Sequence, residues 1–89
     1  MTSFTLALRV RIRLLLFASY AEAFGKDEIA LDLPAGSTAG DVLAAIRSRP
    51  GADQLPPKPM IAVNQRYAND DQVVSSTDEV AIIPPVAGG

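Results

Sequence analysis

Eighty-nine residues suffice for one domain with a modest core. With no cysteine and no histidine, the chain has no disulfide staples, thiolate nucleophile or usual zinc ligand set, and it lacks the commonest general base near neutral pH. A net charge of −2 without a basic, aromatic-rich patch argues against a nucleic-acid partner.

Met1 to Ala18 is apolar, but Arg9, Arg11 and Arg13 interrupt any signal-peptide core. No run reaches the roughly 18 apolar residues of a membrane span. A cytoplasmic location and no membrane partner are expected. Residues 1–8 read as an extension, 9–83 as the domain, and 84–89 as a flexible tail.

Arg9 to Phe17 alternates with period two, so Val10, Ile12, Leu14 and Leu16 form the inner face of a strand. Its outer face begins with arginines and ends with Leu15 and Phe17. Residues 18–25 suit a short helix, capped by Ser19 and stopped by a left-handed Gly25. Tyr20 and Phe24, four apart, share its core face. Glu28 to Leu33 alternates again, with Ile29, Leu31 and Leu33 inward, until Pro34-Ala35-Gly36.

Ser37 or Thr38 opens the main helix, with Asp41 placed to answer the first-turn N–H groups. Val42, Leu43 and Ile46 make its apolar stripe, and Gly40 is a weak point. Arg47 and Arg49 sit near the C-terminal end, and Pro50-Gly51 is the stop signal. Residues 50–59, with four prolines, read as a loop. Met60 to Asn64 reads as a strand near the sheet centre, residues 65–71 as a turn region, and Gln72 to Val74 as a brief strand. Glu79 to Ile83 is the last strand, with Val80 and Ile82 on one face and Ala81 and Ile83 on the other. Pro84 ends its ladder because it lacks an N–H.

One amphipathic helix over one apolar sheet face gives an α+β domain. The element order is that of a ubiquitin-like β-grasp, a mixed sheet of four to five strands covered by one main helix, with first and last strands parallel at the centre.

The sequence closes on Pro84-Pro85-Val86-Ala87-Gly88-Gly89. Glycines carry no Cβ, so such an end passes a channel closed to other residues. Together with Leu16-Phe17-Ala18-Ser19-Tyr20-Ala21-Glu22, Ala62-Val63-Asn64-Gln65 and Asp78-Glu79-Val80, this ending resembles the small subunits of molybdopterin synthase, from about Arg9 to Gly89. The thiamine-pathway sulfur carriers share the β-grasp and the Gly-Gly end, but they are usually shorter.

The resemblance implies a sulfur carrier that binds no cofactor itself. An activating enzyme would use ATP to adenylate the carboxylate of Gly89, and sulfur would replace the adenylate as a thiocarboxylate. The tail would then enter the large synthase subunit, in a heterotetramer, and donate sulfur to a pterin precursor. Gly89 would carry the reactive acyl group and Gly88 would give clearance. Pro84 and Pro85 would fix φ and reduce the entropy lost on docking. Val86 and Ala87 would complete the tail at the partner interface.

In a β-grasp the first and last strands are neighbours, so Leu15, Phe17 and Ile83 would form one apolar patch beside the tail, and such patches mark partner surfaces. The resemblance adds Tyr67 to that patch. Arg9, Arg11 and Arg13 read as a solvated strand face, and Asp70-Asp71 as a polar turn. A carrier for another pathway, a ubiquitin-like modifier joined through Gly89, and a binding module with an incidental Gly-Gly stay open as alternatives.

Overall fold

A computed structural model describes residues 8–84. Five strands form one sheet: β1 (Arg9–Leu16), β2 (Glu28–Pro34), β3 (Met60–Val63), β4 (Arg66–Tyr67) and β5 (Val80–Ile83). Two helices, α1 (Ala18–Phe24) and α2 (Ala39–Ile46), interrupt them. The strand order is β2-β1-β5-β3-β4, with β1 and β5 parallel and the other pairs antiparallel. This is the expected β-grasp topology. β5 holds the centre, and β3 lies between β5 and the edge strand β4.

Alternation decides the two faces. Ile12, Leu14 and Leu16 of β1, Ile29 and Leu31 of β2, Ile61 and Val63 of β3, and Val80 and Ile82 of β5 are all buried in one core. Val42, Leu43 and Ile46 of α2 and Tyr20 of α1 close that core from above. The opposite face carries Arg9, Arg11 and Arg13, all exposed. Arg13 pairs with Glu28 on β2 at 3.1 Å. Both partners are largely solvated, so the pair adds little stability.

The helix ends are specified locally. Thr38 accepts a hydrogen bond from the Asp41 N–H at 3.3 Å, and the Asp41 carboxylate accepts from the Thr38 N–H at 2.9 Å. This reciprocal pair is a capping box, satisfying two otherwise orphaned donors of α2. Gly25, at φ +74°, ends α1 in the left-handed conformation.

Several local expectations change. Helix α1 begins one residue before Ser19; its cap position is Phe17, which offers no side-chain acceptor. Helix α2 ends at Ile46, ahead of Pro50-Gly51. Arg47 instead reaches across to the Pro-rich segment, where its guanidinium donates to the carbonyls of Pro56 and Pro57. Within that segment Ala52–Gln54 form one turn of 3-10 helix, because Ala52 and Leu55 are drawn into the core.

Residues 65–71 contain strand β4, too short to show a period in sequence. Gln72 to Val74 makes only a single bridge, Thr38 with Val73. Its backbone is occupied at the start of α2, where Ala39 N–H donates to the Gln72 carbonyl and Val74 N–H to that of Ser37. Gly40 belongs to the same contact. Its N–H donates to the Asp70 carbonyl at 2.8 Å. A Cβ there would stand 3.1 Å from the Asp70 carbonyl oxygen. The apparent weak point of the helix is thus the place where a loop docks.

Candidate functional site

The face of the sheet without helices changes character from one side to the other. Register places Leu15 beside Ala81 in the parallel pair, Ala81 opposite Ala62, and Ala62 opposite Tyr67. These four residues form a row across β1, β5, β3 and β4, spanning about 15 Å at ordinary strand spacing. The next row contains Ile83 and its partner Met60. On the β1–β2 side the same face is arginine and acid; on this side it is apolar.

Ala62 and Ala81 are small, and together they floor an open groove of about 450 Å³. Phe17, Tyr67, Ile83, Gln65 and Glu79 complete its lining. Phe17 is 47% exposed and Tyr67 68%, whereas Ile83 is half-buried. Large apolar side chains standing in water around a shallow apolar floor mark a surface that binds another molecule.

Three of the four sequence-derived patch residues, Phe17, Tyr67 and Ile83, therefore meet in one groove. Leu15 shares a row with Tyr67, but it lines a smaller neighbouring hollow with Arg13, Ser76 and Glu79. Pro84 follows Ile83 directly, so the root of the tail lies at the groove's edge. Pro85, Val86, Ala87, Gly88 and Gly89 lie outside the described residues. Sequence reasoning missed Ala62, Gln65 and Glu79 as lining residues. The outward parity of Ala81 was legible, but its role as floor depends on its size next to larger neighbours.

A second hollow of about 580 Å³ shares Tyr67 as a wall and is rimmed by Lys58, Asp70 and Asp71. Among the described residues no group of three potential metal ligands converges anywhere. No helix there is long and apolar enough to cross a membrane.

The hairpin that carries Tyr67 turns through Asn64 and Gln65, at φ +53° and +69°. Both central residues are left-handed, as in a type I′ turn, whose twist suits an antiparallel pair. Asn64 bonds to the segment entering β5. Its Nδ2 donates to Asp78 Oδ1 and its Oδ1 accepts from the Glu79 N–H, both at 2.9 Å. The bond from Asn64 Nδ2, followed by that from the Ser75 N–H, holds the Asp78 carboxyl below the ordinary aspartate value.

With this geometry in place, the relatives are informative. The ThiS family model matches residues 14–89. The chain belongs to the ThiS family. Over 83 residues it is 40% identical to the molybdopterin synthase sulfur carrier subunit of Dictyostelium discoideum, covering 89% of this chain and 96% of that one. It is 36% identical over 80 residues to the protein of the same description from Escherichia coli K12, covering 88% and 99%. Among solved structures, the small archaeal modifier protein 1 of Haloferax volcanii superposes with a TM-score of 0.74 at 27% identity, covering 89% and 99%. This ThiS-family chain is thus similar over most of its length to proteins of two descriptions, sulfur carriers and a protein modifier.

Proposed function

We propose that this chain is a sulfur carrier of molybdopterin biosynthesis whose working atom is at Gly89. The observation that carries the reading is the apolar groove of Phe17, Tyr67 and Ile83 at the root of a Pro-Pro-Val-Ala-Gly-Gly tail. Relatives described as sulfur carrier subunits of molybdopterin synthase support it.

In this account a separate activating enzyme joins the Gly89 carboxylate to the α-phosphorus of ATP and releases pyrophosphate. The resulting acyl adenylate is a far better electrophile than a carboxylate. A sulfur donor displaces AMP at the acyl carbon and leaves a thiocarboxylate. The carrier then docks through its groove on the large synthase subunit, and the tail's sulfur attacks the pterin precursor. Water cleaves the remaining acyl–sulfur bond and returns the Gly89 carboxylate, and two such transfers supply the two sulfurs of a dithiolene. A sulfur anion is polarizable and strongly nucleophilic, so the carrier needs no base of its own; the acids and bases belong to the partner. That division of labour suits a chain with no histidine and no cysteine. Gly88 leaves the reactive carbon uncrowded, and Pro84 and Pro85 reduce the entropy lost when the tail is ordered.

The likeness to an archaeal modifier protein favours a second reading, in which the activated Gly89 is transferred to lysines of other proteins. Reconstitution with activating enzyme, ATP, sulfur donor, large subunit and pterin precursor separates the two. Dithiolene product that disappears on deletion of Gly89 is the expected result. Isopeptide-linked proteins with no dithiolene product would favour the modifier, and product from the deleted chain would sink the tail mechanism.

A further inference from the structure

The Asn64-Gln65 turn is held in an unfavourable way. A left-handed residue other than glycine is strained by its Cβ, and Gln65 has no short polar side chain to offset the strain. Asn-Gly would make the same turn without that strain. What the sequence has instead is an asparagine fully engaged with another segment. Its side chain takes both the Asp78 carboxylate and the Glu79 N–H, and its own N–H donates to the Glu79 carbonyl at 2.7 Å. Asp78 is fixed in turn, its Oδ2 accepting from the Ser75 N–H at 2.8 Å.

This network joins the two halves of the groove. Gln65 and Tyr67 form the wall contributed by the β3–β4 hairpin. Glu79, Ala81 and Ile83 belong to the segment that continues into the tail. β4 pairs with β3 through only two residues, Arg66 and Tyr67, and nothing pairs with its outer edge in the described sheet. Beyond Tyr67 the chain is held by the Ala68 N–H on the Ile61 carbonyl and by Asp70 at Gly40, so the end left to fray is the turn. Asn64 and Asp78 supply the tether at the hairpin's turn.

We propose that Asn64 and Asp78 are positioning residues that lock the Tyr67 wall of the groove to the tail-bearing strand for docking on the partner subunit. The proposal rests on the docking reading given above. A turn that merely reverses the chain would be served as well by glycine; a tether would not.

Two substitutions separate these roles in the full-length chain. Asn64→Gly keeps a favourable left-handed residue and deletes both side-chain bonds. Ser75→Ala removes the neighbouring side-chain contact with the Thr77 hydroxyl, lies outside the groove and leaves the tether intact. Affinity for the large subunit of molybdopterin synthase, measured by calorimetry, should fall roughly tenfold for Asn64→Gly and hold for Ser75→Ala. Asp78→Asn should fall with the former. In the free chain, nitrogen relaxation at the Arg66 and Tyr67 amides should show greater mobility in Asn64→Gly, with β1 and β2 unchanged. Wild-type affinity in Asn64→Gly, or unchanged mobility at Arg66 and Tyr67, would overturn the tether. If the unsubstituted chain does not bind the large subunit, the docking reading fails. The relaxation measurement still decides the tether.

Discussion

Phe17 and Tyr67 belong to segments 50 residues apart, yet they line one groove, floored by Ala62 and Ala81. Phe17 sits between β1 and α1, and Tyr67 lies on the edge strand. Neither serves the core, which is complete on the other face of the sheet. Side chains that the fold does not need can be changed without unfolding it, so they are the place to test the account.

Phe17 is also the cap position of α1, with extended φ −124° and ψ 152° and no side-chain acceptor. Aspartate is among the best residues there, worth about 1 kcal/mol over an apolar one. Phe17→Asp should therefore keep or raise the melting temperature of the free chain while weakening large-subunit binding at least tenfold. Thermal denaturation and calorimetry read the two effects separately. Loss of both together would assign Phe17 to the fold instead.

Gly40 sets helix propensity against packing. Propensity alone makes Gly40→Ala stabilising by about 1 kcal/mol. The new Cβ, however, would meet the Asp70 carbonyl oxygen at 3.1 Å and Asp70 Cβ at 3.2 Å, where Gly40 N–H already holds that carbonyl. We expect the contact to win, with a net loss of about 1 kcal/mol. Denaturant unfolding checks this, and a gain in midpoint would show that the Asp70 loop yields freely.

Asp78 gives stability a sign on the acid side. Its folded carboxyl titrates below the ordinary value because Asn64 and Ser75 bond the ionised form. The unfolded chain therefore takes up the proton first as pH falls. The contribution is complete above the ordinary aspartate range and is lost as pH drops through the folded value. Asp78→Asn should flatten the decline in melting temperature over that window. An unchanged acid profile would mean that the carboxylate contributes nothing to folding.

Strands β1, β2, β3 and β5, the start of α2 at Ser37 or Thr38 and the glycine stop of α1 were legible because each is a short-range pattern. Period two in β1, β2 and β5, a hydroxyl residue ahead of Asp41, and Gly25 after Phe24 need no tertiary information; the choice of Thr38 over Ser37 as cap is visible only in the fold. The groove was legible in part. Leu15, Phe17 and Ile83 break the polar outer face, and parity sets them on one side, although Leu15 turned out to face a neighbouring hollow. The rest depended on contacts between distant segments. Arg47 leaves the helix end for the Pro56 and Pro57 carbonyls, and Gly40 is small because Asp70 needs the space. β4 exists because the Asn64-Gln65 turn folds two residues back on β3. None of these leaves a periodic trace in sequence.

The central claim concerns Gly89 as a reactant, and intact mass spectrometry addresses it most directly. The full-length chain is incubated with the activating enzyme, ATP and a sulfur donor, then fragmented to locate any change. The account predicts replacement of one oxygen by sulfur, confined to Gly89 and dependent on ATP. An unshifted mass under conditions that load a known sulfur carrier, or sulfur placed anywhere but Gly89, would contradict it.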